Sequence, residues 1–217
     1  MASESPRSYK KLSYKPEISD GIRTPELHKL IEFGKREKMI SFIKKIKNQS
    51  LLNESINIKN GSGKTALHVA ASVGDHDGTK ILLENGAEIE ATDRNGETPL
   101  HSTARYASYK VMKLLLQHSS NVNAQSNSQQ TPLHLAVKGL STQNVSYKVR
   151  GFMCIRLLIS FGADPRFKND ANKTAREEID ELVSLFYTES CKTQNENVMA
   201  LLGKKWMTAH FAYFVKT

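Results

Sequence analysis

The sequence predicts an all-α solenoid, in which short helix-turn-helix units stack side by side and β-hairpin fingers connect them. A segment of six or seven residues recurs with its threonine at Thr65, Thr98 and Thr131, which are 33 residues apart. Apolar residues follow each threonine at helical spacing. A unit of this length cannot bury its own apolar face, so several copies have to stack around one continuous core.

Each unit is predicted to contain two helices. Pro99 and Pro132 directly follow their threonines, and proline suits a first helical turn because the N–H it lacks has no helical partner there. The apolar triplets 81–83 and 114–116 predict the second helix of a unit. Gly86 stands where that helix has to end.

The third unit and the two ends depart from the regular period. The third apolar triplet comes late, which predicts a ten-residue insertion within 138–150, on a protruding loop that offers Val145, Tyr147 and Val149. Such a loop either carries function or is neutral padding, and the sequence leaves both readings open. Degenerate units begin near Thr24 and Asn172.

The recurring segments Thr65–Ala71, Thr98–Ala104 and Thr131–Ala136 resemble the ankyrin repeat family. The resemblance covers 24–186 and implies five units, namely 24–56, 57–89, 90–122, 123–165 and 166–186. We expect a flexible basic arm over 1–23 and an amphipathic, aromatic extension over 187–217. The extension either covers the last repeat or is an adhesive tail. The resemblance also implies a structural role for the motif residues Thr65, His68, Thr98, His101, Thr131 and His134.

Composition and charge limit the classes of function. The chain has 217 residues, a net charge of +9 and a pI near 9.5, which favours acidic partners. Its longest apolar run has five residues, at 211–215, and no secretory signal is recognisable, so we expect a cytoplasmic or nuclear protein. Cys154 and Cys191 are expected to be reduced and inert.

No motif in the sequence predicts catalysis, a cofactor or a metal. The segment Gly61–Thr65 imitates the end of a phosphate-binding loop, but Ile58 stands where that loop requires its first glycine. The motif histidines are too far apart along the stack to share one metal ion. We therefore predict a protein that is not an enzyme.

The resemblance implies partner binding on the concave face, by the finger tips and the ends of the first helices. Its contact positions hold seven basic residues and two acidic ones, Glu97 and Asp170, and Arg105 beside Tyr106 is the predicted anchor. The predicted binding residues are Lys59, Lys64, Arg94, Asn95, Arg105, Tyr106, Gln125, Asn127, Lys138, Tyr147, Lys168 and Lys173.

These features predict a non-catalytic adaptor or competitive inhibitor that binds an acidic protein segment and is monomeric by itself. The alternative is a targeting or sequestering protein, whose basic arm and aromatic tail meet phosphate-bearing surfaces such as nucleic acid or a membrane. Asn123 resembles the finger asparagine that hydroxylases modify in some ankyrin repeats, which makes it a candidate modification site.

Overall fold

The computed structural model describes residues 26–48, 55–141 and 144–181. The predicted basic arm at 1–23, Cys191 and the extension at 187–217 lie outside the described residues. The description therefore concerns the repeat region.

The described chain is a row of antiparallel helix pairs. Within each pair the two helices pack together, and the first helices of successive pairs also pack on one another, as do the second helices α4, α6 and α8. The pairs are α1 (Glu26–Glu32) with α2 (Arg36–Asn48), α3 (Ala66–Val73) with α4 (His76–Glu84), α5 (Pro99–Arg105) with α6 (Tyr109–Gln117), and α7 (Pro132–Lys138) with α8 (Val145–Ser160). A final helix, α9, occupies 175–181.

The core runs along the row as two lines of leucines. One line comes from the first helices and the other from the second helices, and each leucine is at most 1% exposed. Because consecutive members lie one repeat apart, every unit buries its leucines against its neighbours. The first line is Leu67, Leu100 and Leu133, and the second is Leu82, Leu115 and Leu158.

Four fingers connect the helix pairs, at 60–64, 93–97, 126–130 and 169–173. In each, the backbone N–H of the first residue donates to the carbonyl of the fifth, at 2.9–3.0 Å. Backbone bonds also link consecutive fingers, as from Asn127 N to the Asn95 carbonyl at 2.9 Å. In the described part of the chain, the pair Lys168 and Thr174 forms an isolated antiparallel bridge. The fingers are thus tight turns in place of extended hairpins, because one closing bond per finger is too few for a ladder.

Left-handed backbone recurs where a second helix ends. Gly86 has φ +85° there, and Ser119 occupies the same position one repeat later with φ +64°. Glycine adopts this conformation freely, whereas serine is strained in it. The unit 90–122 therefore carries a strain that the unit 57–89 avoids.

The prediction that the insertion forms a protruding loop is wrong. Helix α8 has 16 residues, whereas α4 and α6 have nine each, so most of the insertion lengthens a helix. Asn144 caps its N-terminus by accepting a hydrogen bond from the Tyr147 N–H at 3.1 Å. No proline or glycine interrupts 145–150, so the cap is free to start the helix early.

No helix in the described ranges is long and apolar enough to cross a membrane.

Candidate protein-binding groove

A polar cavity opens on the concave side between the second and third fingers. Its volume is about 370 Å³, and its walls come from these two fingers and from the last residues of α5 and α7. We call it the groove cavity. It is lined by Asn95, Glu97, Arg105, Asn127, Ser128, Gln130 and Lys138.

The first cation of the groove cavity is held by a carboxylate of its own repeat. The Nη2 group of Arg105, the last residue of α5, donates a hydrogen bond to Oε1 of Glu97. The arginine side chain is 46% exposed and the glutamate side chain only 11%. A partner approaching from solvent therefore meets the guanidinium more readily than the carboxylate.

The second cation is held more loosely by a carboxylate from the last helix. Lys138 Nζ lies 3.7 Å from Glu178 Oε1, and the side chains are 47% and 12% exposed. The same Oε1 accepts a hydrogen bond from Asn169 at 2.9 Å. Its Oε2 atom is buried without a hydrogen-bond partner among the described residues. Glu178 is thus a nearly buried carboxylate that Lys138 stabilises without a direct hydrogen bond.

The acidic residues of α9 correct the predicted charge of the concave face. Glu178 faces Lys138, and the exposed Glu181 binds Lys173 Nζ at 2.5 Å. The concave face then holds seven basic residues against four acidic ones. It remains basic, with a smaller excess than the sequence indicated.

Tyr147 lies in α8 and points back to the groove. Its hydroxyl donates to the backbone carbonyl of Arg105, and its ring faces Gly139, where a Cβ would lie 3.2 Å from the ring. Burial raises the pKa of this phenol to about 12. The predicted contact residue Tyr147 therefore supports the C-terminus of α5 from the insertion.

The motif histidines tie each repeat to the next finger. In all three central repeats Nδ1 accepts the threonine N–H at 3.1–3.2 Å. Nε2 donates to a carbonyl of the following finger at 2.9–3.1 Å, which is Glu97 for His68, Gln130 for His101 and Lys173 for His134. These bonds require neutral imidazole with the proton on Nε2.

Burial lowers the pKa of the three histidines, and that of His68 to about 4. His28 makes the carbonyl bond to Lys64 at 2.7 Å, but its Nδ1 has no partner in the described chain. Pro25, three residues before it in the sequence, has no N–H to offer.

The other predicted binding residues do not all meet at the groove cavity. Of the twelve, the lining includes Asn95, Arg105, Asn127 and Lys138. Tyr106 is half-buried and caps the C-terminus of α5. The remaining predicted residues lie along the fingers and α8, outside the lining: Lys59, Lys64, Arg94, Gln125, Tyr147, Lys168 and Lys173.

Several of these polar groups form hydrogen bonds within the protein. Lys59 Nζ donates to the Thr92 carbonyl at 2.7 Å, and Lys168 Nζ to Asn172 Oδ1 at 3.2 Å. Asn123 donates to the Gly162 carbonyl at 3.2 Å and accepts from the Asp164 N–H at 2.8 Å. Asn123 therefore joins the two ends of the unit 123–165, and its hydroxylation stays a prediction.

Comparisons with known proteins agree with this architecture. A family model described as ankyrin repeats (3 copies) matches residues 88–169, and one described as ankyrin repeats (many copies) matches 51–102. Together the two models span more than half of the chain. The chain belongs to the ankyrin repeat family. Ankyrin repeats are in general protein–protein interaction modules.

A curated relative is similar to part of this chain. Tyrosine-protein kinase HTK16 from Hydra vulgaris is 39% identical over 59 residues, which are 27% of this chain and 8% of the kinase. The similarity thus spans under a tenth of that protein. Kinase activity belongs to the name of that relative and is not inferred for this chain.

Sequence reasoning missed Glu178, although the repeat period contains a signal for it. Glu178 stands four residues after Thr174, in the same register as Val69, Ser102 and Leu135, which are all buried. An acidic residue at a position that is buried in the other repeats indicates a carboxylate directed toward a neighbouring repeat instead of solvent, as Glu178 is toward Lys138.

Proposed function

We propose that this ankyrin repeat protein is a non-catalytic adaptor or competitive inhibitor that captures an acidic protein segment on its concave face. The observation that carries the proposal is the pair of half-exposed cations, Arg105 and Lys138, in one cavity. Their carboxylate partners, Glu97 and Glu178, are almost buried. Acidic side chains of a partner are therefore attracted to the more exposed charges.

The hydrogen bonds of the motif histidines support a binding role for the protein over a catalytic one. A general base needs a ring nitrogen free to take a proton from a substrate. His68, His101 and His134 use both ring nitrogens for bonds to their own fold. The buried Cys154 thiol, whose pKa burial raises to about 12, is a poor nucleophile.

A capture experiment with matched charge variants tests the proposal. The intact protein, the groove variant Arg105→Gln/Lys138→Gln and the control Lys110→Gln/Lys113→Gln are compared as baits in cell lysate. The control removes the same charge from α6, where both lysines are exposed. We expect the intact protein and the control to capture a protein that the groove variant does not capture. The segment of that captured protein that binds the bait should be acidic. Loss of the same proteins from both variants would contradict a groove-specific site.

The charge of the first helix pair favours a second candidate function. Residues 26–48 hold seven basic residues and three acidic ones, and on α2 the lysines at 38, 44, 45 and 47 are exposed. Such a surface attracts phosphate-bearing polymers or anionic lipid. This candidate is the targeting or sequestering protein in which the basic arm contributes to the contact.

Neutralising the arm separates the two functions. Changing Arg7, Lys10, Lys11 and Lys15 to glutamine should leave capture of an acidic protein segment nearly unchanged. The same change should abolish most binding to phosphate-bearing surfaces, with a steep dependence on salt. We also propose that the protein is monomeric by itself and works in the cytoplasm or nucleus, which gel filtration and cell imaging will test.

A further inference from the structure

The two cations of the groove cavity occupy equivalent positions in consecutive repeats. Arg105 ends α5 and Lys138 ends α7, exactly one 33-residue repeat apart in the sequence. Both line the same cavity, and both side chains are about half exposed. A partner segment that crosses from one repeat to the next passes both charges.

Both cations keep donors for a partner. A guanidinium has five N–H donors, and among the described residues Arg105 spends Nη2 on Glu97. Lys138 Nζ is 3.7 Å from Glu178, which is beyond hydrogen-bond distance. Each cation can therefore bind an incoming carboxylate while its own carboxylate stays in place.

The fold sets the spacing of the two contacts. Helices α5 and α7 pack directly against each other, and the axes of packed helices are about 8–10 Å apart. A chain in the extended polyproline II conformation advances about 3.1 Å per residue and makes one turn in three residues, so its side chains at i and i+3 lie on the same side. One helix spacing therefore corresponds to about one turn, or three residues, of such a partner.

We propose that the groove cavity recognises a protein segment in the extended polyproline II conformation with two acidic side chains three residues apart, one bound by Arg105 and the other by Lys138. This inference rests on the proposed function, because it specifies the acidic segment that the concave face captures. The amides of Asn95 and Gln130, which also line the cavity, offer donors and acceptors to the partner's main chain.

Peptides of equal composition test the spacing. A fluorescent Gly/Ser/Ala peptide with glutamates at i and i+3 is compared by anisotropy with isomers that carry them at i and i+1 or at i and i+6. We expect the i, i+3 peptide to bind about fivefold more tightly, as one additional charge contact would provide. Arg105→Gln and Lys138→Gln should each remove this preference, while Lys110→Gln should preserve it.

Double-mutant cycles assign each contact. Changing one peptide glutamate to glutamine should cancel the effect of Arg105→Gln, and changing the other should cancel that of Lys138→Gln. The comparison of the three peptide isomers uses the intact protein alone, so that part of the test does not depend on the stability of any protein variant. Equal affinity for all three isomers would overturn the spacing inference and leave the proposed function standing. Failure of the intact protein to bind any acidic peptide would overturn both.

Discussion

The neutral histidines of the repeat motif predict that acid destabilises this protein before its carboxylates are protonated. The His68 pKa is lowered to about 4 in the folded state, from an ordinary value of 6.5, mainly because the ring is buried. Between these two pH values the unfolded chain binds a proton that the folded chain does not. The stability contributed by His68 is therefore complete above pH 6.5 and falls as the pH drops toward 4.

The size of this effect follows from the difference between the two pKa values. One titrating group changes the free energy of unfolding by about 1.4 kcal/mol per pH unit. For His68 this amounts to a loss of about 2 kcal/mol between pH 8 and pH 5. His101 and His134 are shifted in the same direction and add to the loss. Protonation of Nδ1 also removes the acceptor for the Thr65 N–H.

Urea unfolding followed by circular dichroism measures the loss. The intact protein and His68→Gln are unfolded at several pH values between 8 and 5, a window above the titration of ordinary carboxylates. We expect the variant to be less stable at pH 8 but to lose about 2 kcal/mol less on acidification. If the free energy of unfolding fell equally with pH in the intact protein and in His68→Gln, the reasoning would be refuted.

Three further substitutions test the backbone and the insertion. Ser119→Gly relieves an exposed left-handed residue and should raise the free energy of unfolding by about 0.5–1 kcal/mol in urea titrations, whereas Ser119→Ala should give no gain. Gly96→Ala would place a Cβ 2.8 Å from Asn127 N at φ +70°, so we expect a loss of about 2 kcal/mol or more, and an unchanged midpoint would contradict the close finger contact. Tyr147→Phe removes the bond to the Arg105 carbonyl and should cost about 1 kcal/mol in thermal unfolding while weakening acidic-peptide binding. Unchanged values in both assays would show that this hydroxyl supports neither the fold nor the groove.

The periodic parts of this protein were predictable from local chemistry. Pro99 and Pro132 do begin helices, and Gly86 does end one, because these residues restrict or free the backbone wherever they stand. The apolar period predicted the positions of the leucines in both core lines.

The insertion within 138–150 was located by counting residues, but the loop conformation predicted for it was wrong. Turn-forming residues at 141–144 suggested a loop, whereas Asn144 caps a helix that continues into the repeat.

The sequence by itself determined the 33-residue unit and its two helices, because those depend on contacts that repeat at fixed spacing, and its resemblance to the ankyrin family implied the structural use of the motif histidines. Only the tertiary structure decided which charges meet. Glu178 reaches Lys138 from 40 residues away in sequence, and Tyr147 reaches Arg105 across 42. Such partners are chosen by the distances between packed helices, which an irregular insertion changes and a count of residues does not provide.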